Sequence, residues 1–337
     1  MFFLMQPRHQ IGGFIFSFLL SVYSPVLAQA KPEKDRLRIG YAARAVVHSI
    51  PYVTKEAGFF HEEGIQVEVV RTAGNVAPMT LVSGDVEFSI MSAFLLLPAA
   101  VQYRDLVILA GFTRFASMYL VSRPEISTAN DLRGKIIGLQ RPGDAYEKNA
   151  LVALRQLGLD PDKDVKFLYV GSNEVMWTAL EARRVGATML TPPSTLFARK
   201  AGMKFLVNLS DLKVEYQGSS LTTRRSFMKE NPNLALRAVR AMVRGIHFFK
   251  TRKEETFRIL AKFFGTSDRE ALEESWNYAS DVPTKPYASE SAVKAVINHL
   301  AEVNPRFGQH KPAEFIESGP LADLDRTGFI DRLYGVK

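Results

Sequence analysis

The sequence predicts an α/β protein built as two lobes with a ligand cleft between them. Three observations carry this. Residues 37–93 alternate short strands with helices, residues 135–209 repeat the alternation, and a chain of 337 residues exceeds what one small core usually covers. Each unit reads strand–helix–strand–helix–strand, the pattern of a largely parallel sheet covered by helices. Parallel strands point their following helix starts at one sheet edge, where open α/β sheets hold ligands.

The elements follow in order. Met1 to Ala28 reads as a secretory leader: Arg8 and His9 precede an apolar run from Ile11 to Val22, Pro25 breaks it, and Val26-Leu27-Ala28 offers small residues for cleavage. Leu37 to Tyr41 is an apolar strand, after which Ser49 and Pro51 suit a helix start. Gly64 to Val70 alternates as a strand does. Gly74-Asn75 opens a second helix with Pro78 in its first turn, Gly84 closes it, and Val86 to Met91 returns as a strand.

The second unit begins near Arg123-Pro124. Asn130 to Gly134 is a turn and Lys135 to Leu139 a strand. Asp144 and Glu147 stand at capping-box spacing before the helical run Ala150, Leu151, Ala153, Leu154 and Leu157. Val165 to Val170 is a strand, and Ser172-Asn173 starts a helix that Gly186 ends. Ala187 to Leu190 is a strand, Pro192-Pro193-Ser194 starts another helix, and Lys204 to Leu209 closes the unit. From Tyr216 the chain reads as mostly helical, with Leu234, Ala238, Met242, Ile246 and Phe249 on one face. The simplest architecture inserts the second unit, 124–211, between 36–121 and a return at 219–337. The chain then crosses between lobes near 121–124 and 211–219, and two crossings make a hinge.

Composition narrows the function. There is no cysteine, so disulfides, thiolate chemistry, Cys-based zinc sites and a lipidated cysteine are excluded. An exported chain without a lipid anchor points to a periplasm. The charge of +8, from 43 basic and 35 acidic residues, is modest and scattered. It suits steering of anions toward a cleft and not nucleic-acid binding. No Ser-His-Asp arrangement with a nucleophile elbow is present, and His61-Glu62-Glu63 lacks the spacing of a zinc protease.

Four stretches carry a resemblance: Leu37 to Tyr41, Glu56-Ala57-Gly58-Phe59-Phe60-His61-Glu62-Glu63-Gly64-Ile65, Val82 to Phe88, and Asp131-Leu132-Arg133-Gly134-Lys135. In this order they resemble the ABC-transporter substrate-binding proteins of the sulfonate/nitrate/taurine and thiamine-pyrimidine type. That resemblance implies a class II periplasmic-binding-protein fold. It also implies a small solute captured between two α/β lobes, and delivery to an ABC permease and its ATPase. A monomer is the default expectation. The chain has no Walker sequence. A related branch holds pyridoxal phosphate on a lysine, with a histidine four residues on. Alignment on Val86-Glu87-Phe88 puts Met91 and Leu95 there, so neither that activity nor any cofactor is expected.

Candidate ligand contacts follow strand ends. In the first lobe they are Tyr41, Arg44, Ser49, Asn75, Ser92, Ala93, Arg114 and Phe115. Arg44 offers a forked donor to a carboxylate or sulfonate. The small Ser92-Ala93 leaves room at the sheet edge, and Phe115 could wall the cleft. In the second lobe they are Arg141, Gly143, Asp144, Ala145, Thr191 and Pro192. Glycine beside a helix start suits an anion, whereas the Asp144 carboxylate suits an ammonium or a hydroxyl. The ligand's charge therefore stays open.

Overall fold

The computed structural model describes residues 35–336 except 73 and 75, together with residue 2. The expected leader, residue 2 apart, and Asn75 lie outside the described residues. Ten strands follow in chain order. The first five are β1 (Arg36–Tyr41), β2 (Gln66–Arg71), β3 (Phe88–Ser92), β4 (Leu106–Gly111) and β5 (Tyr119–Ser122). Then come β6 (Ile136–Leu139), β7 (Lys166–Tyr169), β8 (Ala187–Leu190), β9 (Lys204–Asn208) and β10 (Ser219–Arg224).

They form two five-stranded sheets, ordered β2-β1-β3-β10-β4 and β7-β6-β8-β5-β9. β1 runs parallel to β2 and β3, and β6 parallel to β7 and β8. β10 is antiparallel to β3 and β4, and β5 antiparallel to β8 and β9. The two sheets thus share one topology, and each contains one antiparallel strand laid down straight after a crossing. β8, inside its sheet, and β4, at the edge of its own, are both buried along their whole length; an isolated bridge from Ile108 to Ile316 covers the β4 edge.

Two expectations need correction. Ser219–Arg224 is a strand within the first sheet, not part of a helical return. Its serines and threonines carry no helical periodicity, and a buried hydroxyl here is satisfied by the neighbouring strand: Thr222 donates to the Ser89 carbonyl at 2.7 Å and Thr223 to that of Glu87 at 2.7 Å. The first crossing also falls earlier than 121–124. Tyr119–Ser122 already pairs in the second sheet, so the chain crosses at 112–118 and returns at 209–218.

The crossings run side by side. Phe115 and Glu215 form an antiparallel bridge. Ala116 N–H donates to Val214 O at 2.8 Å, Tyr216 N–H to Arg114 O at 2.9 Å, and Gly218 N–H to Thr113 O at 3.1 Å. Arg114 clamps Glu215 with two donors, at 3.0 and 2.6 Å. A Cβ on Gly218 would stand 2.2 Å from Thr113 Oγ1, so only glycine permits this approach. Ala116, Met118, Leu209 and Tyr216 belong to a buried cluster that joins the two sheets.

The helical return covers the first sheet. In the helix Pro232–Thr251 the expected face is buried as read: Leu234, Ala238, Met242, Ile246 and Phe249. Burying the four larger of these side chains contributes about 1.5–3 kcal/mol each. The helices Lys253–Phe264, Arg269–Ala279 and Glu290–Val303 follow. Among the described residues no helix is long and apolar enough to cross a membrane.

Candidate functional site

In each sheet the strand order reverses beside the first strand of the unit: β1 lies between β2 and β3, and β6 between β7 and β8. Ligands collect outside the carboxyl ends of strands at such switch points. The ends of β1 and β3 are followed by Ala42 and closed by Ser92; those of β6 and β8 are followed by Gln140 and Thr191. All four residues line one cleft between the sheets, with a volume of about 90 Å³. A small molecule fits that gap, and a large one requires the lobes to part.

Of the predicted contacts, Ser92, Arg141, Asp144, Ala145 and Thr191 line the cleft. Ser92 stands before the helix Ala93–Tyr103 in extended backbone, and its hydroxyl does not cap that helix. Thr191 is fixed from behind by Asn173, which accepts from its N–H at 3.1 Å and donates to its carbonyl at 3.3 Å. Asp144 caps the helix Ala145–Gln156, Oδ1 accepting from the N–H groups of Tyr146 at 2.8 Å and Glu147 at 3.1 Å. Its Oδ2 is buried without a hydrogen-bond partner, as is Nε of Arg141, 3.9 Å away. Arg141 reaches the opposite lobe: its guanidinium lies 3.3 Å from where a Cβ on Gly74 would stand. Gly74 leaves that space open.

Among the described residues, the other predicted contacts do not line this cleft. Arg44 lines an adjoining cavity of about 210 Å³ with Arg71 and Arg141, and its Nε donates to the Phe263 carbonyl at 3.0 Å. Tyr41 packs on Phe263 with ring centres 5.4 Å apart. The Ser49 hydroxyl is buried and donates to Val46 O at 2.6 Å, satisfied within its own turn. Ala93 lies behind Ser92, its N–H bonded to Gln217 O at 3.1 Å. Arg114 and Phe115 serve the crossing, the guanidinium 5.3 Å from the ring centre. The Gly143 amide is occupied by the Glu147 carboxylate, so it does not face a ligand. Pro192 is buried beside the cleft wall without lining it.

The residues missed are chiefly aromatic. Tyr146, Tyr216 and Tyr278 line the cleft from the second lobe, the return crossing and the helix Arg269–Ala279. Tyr146 stands two residues from Asp144 and could have been inferred. Tyr278 carries no local signal. Burial raises all three hydroxyls above their ordinary range, so they are neutral donors. Burial drives the other two titrating groups of the cleft toward their uncharged forms. His48, whose Nδ1 accepts from Ala43 N–H at 3.1 Å, is lowered to about 4. Asp144 is raised to about 6 by burial, against the two capping amides and the Arg141 charge.

The lobes also meet beside the cleft. Lys200 pairs with Asp268 at 2.7 Å and Glu270 at 3.1 Å, and Thr195 donates to Glu274 at 3.0 Å. Exposed pairs contribute about 0–1 kcal/mol each, so this contact tilts closure without locking it. Lys200→Glu should therefore enlarge the radius of gyration of the ligand-free protein in small-angle scattering, and leave its melting temperature within a degree or two.

Two α/β sheets, a double crossing and a cleft at both switch points define a two-lobed protein of the periplasmic-binding class. The chain belongs to the NMT1/THI5-like family, whose model matches residues 45–256. YtlA of Bacillus subtilis (strain 168), whose name describes binding and no reaction, is 22% identical over 224 residues, 64% of this chain and 67% of that protein. The periplasmic aliphatic sulphonate binding protein SsuA of Escherichia coli shares the fold with TM-score 0.67 and 18% identity, over 84% of this chain and 92% of its own. The desulfurization enzyme DSZB does so too, with TM-score 0.67 and 17% identity over 87% of this chain and 100% of its own. The fold therefore hosts both capture and catalysis, and the site must decide between them.

The chain has no cysteine to serve as a thiol nucleophile. Among the described residues lining the cleft there is no lysine to hold pyridoxal phosphate; Met91 is fully buried and Leu95 presents a hydrocarbon.

Proposed function

We propose that the protein is an exported solute-binding protein of an ABC importer. It captures a small organic solute bearing an anionic group, of sulfonate, carboxylate or pyrimidine-like type, and passes it to a membrane permease driven by an ATPase. It acts in the periplasm, as a monomer, after loss of its leader. The observation that carries this reading is the cleft itself. Its walls come from the switch points of both sheets, and the sheets are joined by paired crossings. A ligand touching both walls binds only the closed form, and so draws the lobes together.

Arg141 supplies the charge for the anionic group, and Arg44 and Arg71 line the adjoining cavity. Titration calorimetry tests this with the solute carried by protein purified from its host and identified by native mass spectrometry. Arg141→Ala should weaken that solute about 10–100-fold, the usual loss for a charge-assisted hydrogen bond. Arg44→Ala, in the outer cavity, should weaken it less. Both variants should stay folded by circular dichroism. Unchanged affinity in Arg141→Ala would remove the arginine from the site.

The enzymatic neighbour gives the second reading its one support, since the same fold carries a desulfurization enzyme. Incubation with the bound solute and recovery of any product decides against capture alone. A Schiff-base absorbance band with pyridoxal phosphate would revive the pyrimidine-synthase alternative.

A further inference from the structure

We infer that the cleft selects a small zwitterion, which places a nitrogen-bound hydrogen on Asp144 Oδ2 and an anionic oxygen on Arg141 Nε. This rests on the solute-binding reading and narrows its ligand.

The inference starts from charge. Among the described residues that line the cleft, Arg141 and Asp144 are the only ones with a charged side chain once His48 is neutral. A purely anionic solute would meet the guanidinium, but it would also face a carboxylate that is 7% exposed. Such a carboxylate cannot turn away, because Oδ1 holds two helix amides.

Geometry points the same way. Asp144 Oδ2 and Arg141 Nε are each buried without a hydrogen-bond partner. They stand 3.9 Å apart, too far to satisfy one another. An unsatisfied buried charge is costly, so both atoms favour a ligand that completes them. The donor must lie against the acid and the acceptor against the base, which is the polarity of an amino acid or an aminosulfonate. Three neutral tyrosines complete the wall, and aromatic rings attract an ammonium placed over them. The small gap suits a molecule whose two charged ends lie a few bonds apart.

Matched pairs test it. The probes are 2-aminoethanesulfonate against ethanesulfonate, and 3-aminopropanoate against propanoate, titrated calorimetrically into the mature protein at pH 7.5. At least one amino member should bind about 10–100-fold tighter than its partner. In Asp144→Asn, which retains a capping side chain, that preference should fall below about threefold. Arg141→Gln should instead weaken both members of the pair that binds. A deamino member that binds as tightly as its partner, or a preference that survives Asp144→Asn, overturns the inference. A melting-temperature screen across small anions, zwitterions and heterocycles separates the two levels. A hit only from solutes without N–H groups overturns the zwitterion and leaves solute capture standing, whereas a screen with no hit overturns both.

Discussion

Asp144→Asn should raise the stability of the ligand-free protein by roughly 2–3 kcal/mol at pH 7.5. The reason is a carboxylate held where its charged form is disfavoured. Asp144 is 7% exposed, and burial lifts its pKa from 3.8 to about 6. A tenfold change in proton affinity corresponds to about 1.4 kcal/mol between the two protonation states. The sign follows from proton counting. Between these two values the folded protein holds the proton and the unfolded chain does not, so acidification favours folding there. The penalty is complete above about 6 and absent below 3.8. The asparagine variant should therefore exceed the parent most at neutral pH, and its advantage should shrink as pH falls toward 4.

His48 has the opposite dependence. Its pKa drops from 6.5 to about 4 on burial, so the folded state resists protonation and loses stability as pH falls through that window. In the parent the two slopes oppose each other across pH 4–6. In Asp144→Asn only the histidine slope remains, and the variant should be the more acid-sensitive of the two. Urea titrations from pH 4 to 8 measure both curves. Equal stability of parent and variant at pH 7.5 would mean that Arg141 already neutralises the acid. A gain in stability with a loss of ligand is the pattern expected where a strained group is kept for binding.

The sequence made the scaffold legible for a physical reason. Apolar runs bounded by glycine and small polar residues fixed most strands of both parallel units, and the 3.6-residue period fixed the helix Pro232–Thr251. What escaped was β4, Leu106–Gly111, together with the strand after each crossing. Ser219–Arg224 is composed of hydroxyl and basic residues apart from Leu221, and its burial depends on hydrogen bonds that its threonines donate to the carbonyls of Ser89 and Glu87, far away in sequence. Tyr119–Ser122 reads as an ordinary apolar run, and nothing local tells which sheet it joins.

The candidate site divides similarly. Strand ends are local features, so the sequence points to Ser92, Arg141, Asp144, Ala145 and Thr191, and the fold brings these five to the cleft wall. Whether a side chain at a strand end faces the cleft depends on its partner. Arg114 was drawn off by Glu215 and the Gly143 amide by Glu147, and neither pairing is visible in one dimension. Tyr278 reaches the cleft from a helix over eighty residues beyond the second lobe's last wall residue, Thr191, so only tertiary packing could reveal it.

Gly245→Ala should destabilise the protein by about 2–3 kcal/mol, although alanine is the better helix former by roughly 1 kcal/mol. Gly245 lies inside the helix Pro232–Thr251, against Thr54 of the helix Ile50–Glu56. A Cβ there would stand 1.9 Å from Thr54 Oγ1 and 2.8 Å from its Cβ. Rotation of Thr54 gives little relief, because its hydroxyl is fully buried and donates to Ile50 O at 2.7 Å. The two helices must therefore separate. Thr54→Ala removes the nearest atom but leaves the Cβ, so the double variant should recover part of the loss, with a coupling of at least about 1 kcal/mol in a double-mutant cycle. The strain should also reach the cleft. Ile50–Glu56 continues from His48 and Ser49, and His48 holds the Ala43 amide on the cleft wall. Moving this helix shifts the wall formed by Ala42 to His48, so ligand affinity should fall with stability, though no atom of Gly245 lines the site. Stability lost with affinity unchanged would show that the wall is held by the sheet alone.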